Sequence, residues 1–273
     1  MKKLFSSKSL VVGVALIIIV LLLGFVGPLV YTVDPYTMDP MNRLQAPSLE
    51  HPMGTDDFGR DLLARVMAGA KVSLGVGASV TAIASLLGLA IGVYCTRSKA
   101  ADQVLMRICD ALMAIPGVLL AIALMAVMGA SVTNVIIALT IVSTPGVARV
   151  VRSRAIVVKD AAFIEALKVQ GASRARIMLL HIVPNVLSPF FVQAAFVFAD
   201  AVLSEAALSF LGLGISAPDP SWGNILQAGK AVISKAWWMI VFPAIMVVAS
   251  VMGLNLVGDG TRDVLDPNTQ QGR

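Results

Sequence analysis

The residues that could carry chemistry in this chain of 273 residues are few and far apart. His51 and His181 are its two histidines, and no His-Glu-x-x-His zinc motif contains them. No Gly-x-x-x-x-Gly-Lys-Ser/Thr phosphate-binding loop occurs either, so we do not expect the chain to hydrolyse ATP by itself. The sequence therefore predicts neither a metal site nor an enzyme active site.

Two carboxylates, Asp200 and Glu205, interrupt an otherwise apolar run at residues 186–213. A carboxylate inside a bilayer costs about 2.5–3.5 kcal/mol, so it usually faces a cavity or a partner. On a helix these two side chains would point about 140° apart, so they cannot both line one narrow pore face. Two interpretations stay open: contact with a substrate or partner subunit, or structural hydrogen bonding. The structural interpretation is favoured more for Asp200 than for Glu205.

The elements that must position these residues are predicted to be membrane-spanning helices. Hydrophobic residues make up 58% of the chain and charged residues 14%, against about 25% charged residues in ordinary soluble domains. A helix needs about 20 apolar residues to cross the hydrocarbon core. Uncharged runs of that length cover residues 10–30, 72–96, 111–148 and 236–258. Because the third run suffices for two crossings with a turn at 129–134, and 186–213 adds another, the sequence predicts an all-α integral membrane protein with six transmembrane helices.

The basic residues predict which side of the membrane each loop faces. With six spans and a cytoplasmic amino terminus, a minority of the 21 Lys and Arg residues would lie outside, namely Arg43, Arg60, Arg65, Lys71, Lys230 and Lys235. The positive-inside rule therefore favours cytoplasmic positions for both termini. This asymmetry and attraction to anionic membrane lipid account for the net charge of +5, so no nucleic-acid partner is expected.

The amino-terminal part, residues 1–71, is predicted to be an anchor helix followed by an external segment. Its apolar run is too long for the core of a cleaved signal peptide, which spans about 7–15 residues. The external segment contains Pro35, Pro40, Pro47 and Pro52, which preclude a long continuous helix, so we expect an extended stretch. Residues 72–273 then form a five-helix body.

The cytoplasmic loop after the fourth span, residues 161–180, contains both charged and apolar residues. One interpretation is an amphipathic helix that lies on the lipid headgroups. However, Gly171-Ala172-Ser173 would break such a helix, and Ser173 suits the amino-terminal cap of a second helix that begins at Arg174. A helix, a glycine turn and a second helix would project from the membrane as a docking element. The residues alone leave these two interpretations open.

This loop resembles the "EAA" coupling loop in permease subunits of ATP-binding-cassette (ABC) importers. Glu165, Ala166, Gly171 and Pro184 match that motif, whereas Leu167, His181 and Val183 depart from its general form. The stretch 181–185, His-Ile-Val-Pro-Asn, is similar to the form found in the dipeptide, oligopeptide and nickel branch. The resemblance implies a cytoplasmic coupling helix between spans four and five, whose contacts with an ATPase come from Glu165, Ala166, Gly171, Ala172, Ser173, Arg174, His181 and Pro184.

Three further stretches resemble the same branch. Residues 53–61 are similar to its external signature, in which Gly54, Thr55, Asp56, Gly59, Arg60 and Asp61 are the matching positions. Residues 204–223 resemble its fifth-span signature, and residues 255–267 its carboxyl-terminal signature. Together these motifs cover nearly the whole chain in order, and they resemble the shorter, C-type permease of a pair.

The resemblance implies a subunit that forms half of the translocation pathway of a bacterial or archaeal cytoplasmic-membrane importer. The implied partners are a second, homologous permease subunit, two cytosolic ABC ATPase subunits that bind the ATP, and an extracytoplasmic solute-binding protein. No cofactor is expected in this chain itself. Di- or oligopeptides are favoured as the solute over nickel or another chelated metal, because the predicted spans contain no histidine to coordinate a transition metal.

Two other classes of protein stay as alternatives. An intramembrane aspartyl protease would need a carboxylate pair such as Asp200 and Asp259. Asp259, however, falls at the cytosolic end of the sixth span beside other charged residues, where a catalytic pair would be too exposed to solvent. A secondary transporter commonly shows inverted repeats, and the sequence shows none.

Overall fold

The structure, a computed structural model, describes residues 8–265, and every regular element in that range is helical. The basic residues Lys2, Lys3 and Arg273, and Asp266 and Pro267 of the carboxyl-terminal motif, lie outside the described residues. We number the helices in chain order: α1 Lys8–Val30, α2 Leu62–Tyr94, α3 Lys99–Met113, α4 Gly117–Met128, α5 Val132–Lys159, α6 Ala162–Val169, α7 Arg174–Phe210, α8 Trp222–Val232 and α9 Trp238–Leu265. Both α1 and α7 contain one π-helical turn, at Leu22–Val26 and Met178–Ile182.

Five of these helices, α1, α2, α5, α7 and α9, are each long and apolar enough to cross a membrane. A sixth span exists if α3 and α4 are taken together, and these two are bent by 86°. The predicted third span, residues 111–128, is therefore broken, and α4 contributes only 12 residues. The bend falls at residues 114–116, where Pro116 lacks an N–H donor and disfavours helical geometry at Ile115.

Two helices begin before the apolar runs that predicted their spans. Helix α2 begins at Leu62, ahead of the run at 72–96, since the Asp61 side chain caps it by accepting a hydrogen bond from Ala64 N at 2.8 Å. Helix α7 begins at Arg174, where the sequence predicts a second loop helix, and continues through its π-helical turn into the run at 186–213. The external stretch 31–61 contains no α-helix and one short 3-10 turn at Pro40–Asn42, as its prolines predicted.

Helix α2 lies at the centre of the bundle and packs through glycines. A Cβ atom added to Gly88 would lie 2.5 Å from Val147 of α5, and one added to Gly92 would lie 2.8 Å from Val151. A Cβ on Gly77 would lie 2.5 Å from the ring of Phe198 on α7. The small residues of this span therefore allow the close backbone approach that holds helices together in lipid.

The loops sort into two sets at opposite ends of the bundle. At one end Trp238 Nε1 donates to the Thr55 carbonyl oxygen at 3.0 Å, and this joins α9 to the external stretch. At the other end Lys159 Nζ donates to the Thr96 carbonyl oxygen at 2.8 Å and joins α5 to α2. Which end faces the cytosol stays a prediction.

Candidate functional site

The candidate site is the segment between α5 and α7, where the sequence predicts a helix, a glycine turn and a second helix. Helix α6 ends in a Schellman motif: Gly171 N donates to Lys168 O and Ala172 N to Leu167 O, both at 3.0 Å. Gly171 has a φ of +81°, the left-handed conformation that the turn requires. Ser173 Oγ then accepts from Arg176 N at 3.3 Å and caps α7. The predicted turn and cap are both present.

Buried isoleucines fix this segment to the membrane helices. Ile164 on α6 is fully buried, and Ile177 and Ile182 on α7 are 6% and 3% exposed. They pack in one hydrophobic cluster with residues of α2 and α5, including Val93 and Val151. Because close-packed side chains transmit displacement, a push on α6 would be transmitted to α2, α5 and α7.

The opposite side of this segment carries exposed apolar and charged side chains. Val169 is 90% exposed and Phe163 is 47% exposed. Glu165 is exposed on the same helix, and Arg174 is exposed at the start of α7. We call Phe163, Glu165 and Val169 the loop surface. Large exposed apolar side chains rimmed by charges are typical of a protein-binding surface.

His181 and Pro184 lie in the first turns of α7 rather than in a loop. The His181 ring contacts the Phe163 ring edge-on, with centroids 6.5 Å apart, so α7 packs against one residue of the loop surface. The His181 carbonyl oxygen accepts from Asn185 Nδ2 at 2.7 Å. His181 belongs to the π-helical turn Met178–Ile182, and Pro184 follows that turn by two residues. Such turns are frequent at functional sites.

The external motif forms a buried, hydrogen-bonded cluster at the other end of the bundle. The Asp56 carboxylate accepts from Phe58 N at 2.8 Å, from Arg60 N at 3.0 Å and from Arg60 Nε at 2.6 Å, and it lies 3.4 Å from Arg65 Nε. Thr55 Oγ1 accepts from Gln45 N at 2.8 Å. The six motif residues Gly54, Thr55, Asp56, Gly59, Arg60 and Asp61 are all buried. In this conformation they hold the external stretch on α2.

Asp61 joins three parts of the chain, two of which the sequence did not indicate. Besides capping α2, its carboxylate accepts a hydrogen bond from the Tyr31 hydroxyl at 2.7 Å and lies 2.9 Å from His51 Nδ1. Burial, and then the neighbouring Asp61 carboxylate, raise the pKa of the Tyr31 phenol above its ordinary value. Tyr31 and His51 both lie in the stretch that precedes α2, which is the only sign of them in the sequence. Their pairing with Asp61 depends on the folded path of residues 31–61.

Asp200 and Glu205 have opposite environments on α7. Glu205 is fully buried, its Oε1 accepts from Ser209 Oγ at 2.8 Å, and the hydroxyls of Ser73 and Ser221 face the same carboxyl group. The chain itself encloses this group, so in this conformation Glu205 makes structural hydrogen bonds, and its contact with substrate or partner stays a prediction. Asp200 is exposed, and its contact with substrate or partner stays a prediction.

Comparison with known families gives two matches. A family model described as binding-protein-dependent transport system inner membrane component matches residues 84–271. A second, described as the N-terminal transmembrane domain of oligopeptide transport permease C, matches residues 1–47. The first match covers the bundle from the last third of α2 onward, and the second covers α1 and the first part of the stretch that follows it.

Individual proteins resemble this chain over nearly its whole length. A putative peptide transport system permease protein of Brucella suis is 44% identical over 266 residues, covering 97% of this chain and 90% of that protein. A dipeptide transport system permease protein of Alkalihalophilus pseudofirmus is 42% identical over 270 residues, covering 97% and 88%. A glutathione transport system permease protein of Escherichia coli is 42% identical over 259 residues, covering 93% and 83%.

Proposed function

This chain belongs to the family of inner-membrane components of binding-protein-dependent transport systems, and from that premise we propose that it forms half of the translocation pathway of an ATP-driven importer. It is a multi-pass membrane protein of the C-type of peptide permease. In the proposed assembly it pairs with a second, homologous permease subunit, two cytosolic ATPase subunits and an extracytoplasmic solute-binding protein. In the proposed topology the protein lies in the cytoplasmic membrane of a bacterial or archaeal host, with both termini in the cytosol.

The coupling mechanism that we propose uses the loop surface as the ATPase contact. Closure of the ATPase dimer on ATP would displace α6, and the buried Ile164 and Ile177 would carry that displacement into α5 and α7. The bundle would then change between two packed arrangements that expose the pathway to opposite sides. ATP binding can shift this equilibrium only because the partner ATPases bind the loop surface differently in the two arrangements.

The observation that carries the choice of solute is the similarity, over more than nine-tenths of the chain, to permease proteins named for peptides, dipeptides and glutathione. We propose short peptides as the solute for this reason. A nickel or chelated-metal substrate has no comparable support among these relatives. The peptide length and side-chain preference are set by the solute-binding protein that delivers the solute.

The experiment is uptake of radiolabelled di- and tripeptides, and separately of labelled nickel, into cells that lack this gene. We expect peptide uptake to fall to background and to return when the gene is supplied, while nickel uptake stays unchanged. Glutathione serves as a third labelled solute. Unchanged peptide uptake with lost nickel accumulation would contradict the proposal.

A further inference from the structure

A cleft of about 750 Å³ lies between the loop segment and the neighbouring ends of α2 and α5. Its rim carries four basic side chains from four different places in the chain: Arg97 after α2, Lys159 at the end of α5, Lys168 on α6 and Arg174 on α7. None of the described residues that line the cleft is acidic. The cleft is therefore a converging, uniformly positive site.

Two carboxylates near this end of the bundle have their closest ion-pair partners outside the cleft. Within residues 8–265, Asp110 pairs with Arg149 and Asp102 pairs with Arg152, and neither arginine lines the cleft, although Asp102 also interacts electrostatically with Lys159. Lys159 uses one of its three N–H groups on the Thr96 carbonyl oxygen at 2.8 Å, which fixes its position and leaves two donors for a ligand. The four basic groups thus keep donor capacity for an anion.

The floor of the cleft is apolar, in contrast to its rim. It includes the partly exposed Met178 and the buried Ile164, Ile177 and Ile182. Three of the helices that end around it, α2, α5 and α7, are membrane-spanning candidates, and in the proposed orientation their ends here face the cytoplasmic headgroups. Positive charge above an apolar floor at that depth matches a molecule with an anionic head and an acyl tail.

We propose that this cleft binds an anionic phospholipid, with the phosphate at the basic rim and the upper acyl chain against the apolar floor. Free phosphate would use the rim but not the floor. The bound lipid would join the loop segment to the ends of α2 and α5. The proposal concerns lipid binding alone, so its test does not depend on the transported solute.

The test is native mass spectrometry of the full-length protein in detergent, with dioleoyl phosphatidylglycerol or dioleoyl phosphatidylcholine added. We expect the protein to retain one phosphatidylglycerol and no phosphatidylcholine. In the double variant Arg97→Gln/Lys168→Gln, two rim charges are removed, and affinity for phosphatidylglycerol should fall about tenfold or more. The matched control is Lys99→Gln/Arg107→Gln, which removes two exposed charges from α3 outside the cleft and should change affinity less than about twofold.

Three results would overturn the proposal. Wild-type affinity in the rim variant would show that the cleft does not bind the lipid. An equal loss in the rim and control variants would show that general surface charge, rather than the cleft, attracts it. Displacement of the lipid by millimolar inorganic phosphate would show that the site recognises free phosphate and that the apolar floor contributes nothing.

Discussion

The two glycines of the external motif occupy positions where any side chain would be strained. Gly59 has a φ of +75°, and a Cβ atom added to it would lie 1.7 Å from the Asp39 carbonyl oxygen. Gly54 has a φ of +78°, and its Cβ would lie 2.6 Å from the Gln45 carbonyl oxygen. Both glycines therefore satisfy a backbone angle and a close contact at once, which explains them by the fold of residues 31–61 without a ligand.

A pair of alanine substitutions separates these two effects. Gly171 has a similar φ, +81°, but no atom lies within 4 Å of where its Cβ would be. Gly171→Ala should cost only the left-handed strain, about 1–2 kcal/mol. Gly59→Ala adds a backbone overlap and should cost more than about 3 kcal/mol. The midpoint of thermal unfolding in detergent should therefore fall in the order wild type, Gly171→Ala, Gly59→Ala, and equal midpoints for the two variants would refute this explanation.

At this scale the sequence predicts local geometry better than burial. The left-handed turn at Gly171 and the cap at Ser173 follow from short-range preferences, and both are present. The burial of Glu205 depends on Ser73 and Ser221, which reach it only when α2 and the start of α8 fold against α7. The sequence therefore left both interpretations of Glu205 open, because its distant partners were not apparent.

Helix positions were predictable from apolar length, and the start of α7 from its serine cap, but the start of α2 was not. Lys71 ends the apolar run that predicted the second span, although α2 begins at Leu62. Arg65, which also lies before that run, is tolerated inside the helix because Asp56 lies 3.4 Å from its Nε atom. A charged residue excluded from the predicted span is thus neutralised by a residue outside the helix.

The segment α6 gives a prediction for docking of the ATPase subunits. Val169 is 90% exposed on the loop surface, and Val169→Asp would place a charge where we propose an apolar contact. We expect the amount of ATPase that co-purifies with the tagged permease complex to fall at least about fivefold, which corresponds to about 1 kcal/mol of binding free energy.

The matched control for this variant is Leu49→Asp. Leu49 is also fully exposed, but it lies in the external stretch at the opposite end of the bundle. This variant should co-purify with normal amounts of ATPase. If Val169→Asp does so as well, α6 is not the docking helix that we propose.

As a whole, the molecule is one helical bundle with a distinct set of loops at each end. Helix α1 is part of that bundle, since a Cβ atom added to Gly13 would lie 2.8 Å from the Gly253 carbonyl oxygen of α9. The predicted boundary at residue 71 falls inside α2 and stays a prediction about domains. In the orientation that we propose, which the positive-inside rule favours, the end with α6 faces the cytosol, where an ATPase could reach it.

Coupling between the two ends is the central claim, and the reconstituted transporter tests it most directly. ATP hydrolysis and uptake of a labelled dipeptide are measured together in proteoliposomes that contain all subunits and the solute-binding protein. Gly171→Leu forces a bulky residue into a left-handed turn with open space around it, so the spans should stay folded while the turn is distorted. Gly171→Asn is the control, because asparagine tolerates that conformation. We predict that Gly171→Leu lowers uptake and binding-protein-stimulated ATP hydrolysis together while Gly171→Asn retains both; normal values of both in a well-incorporated Gly171→Leu protein would contradict the account.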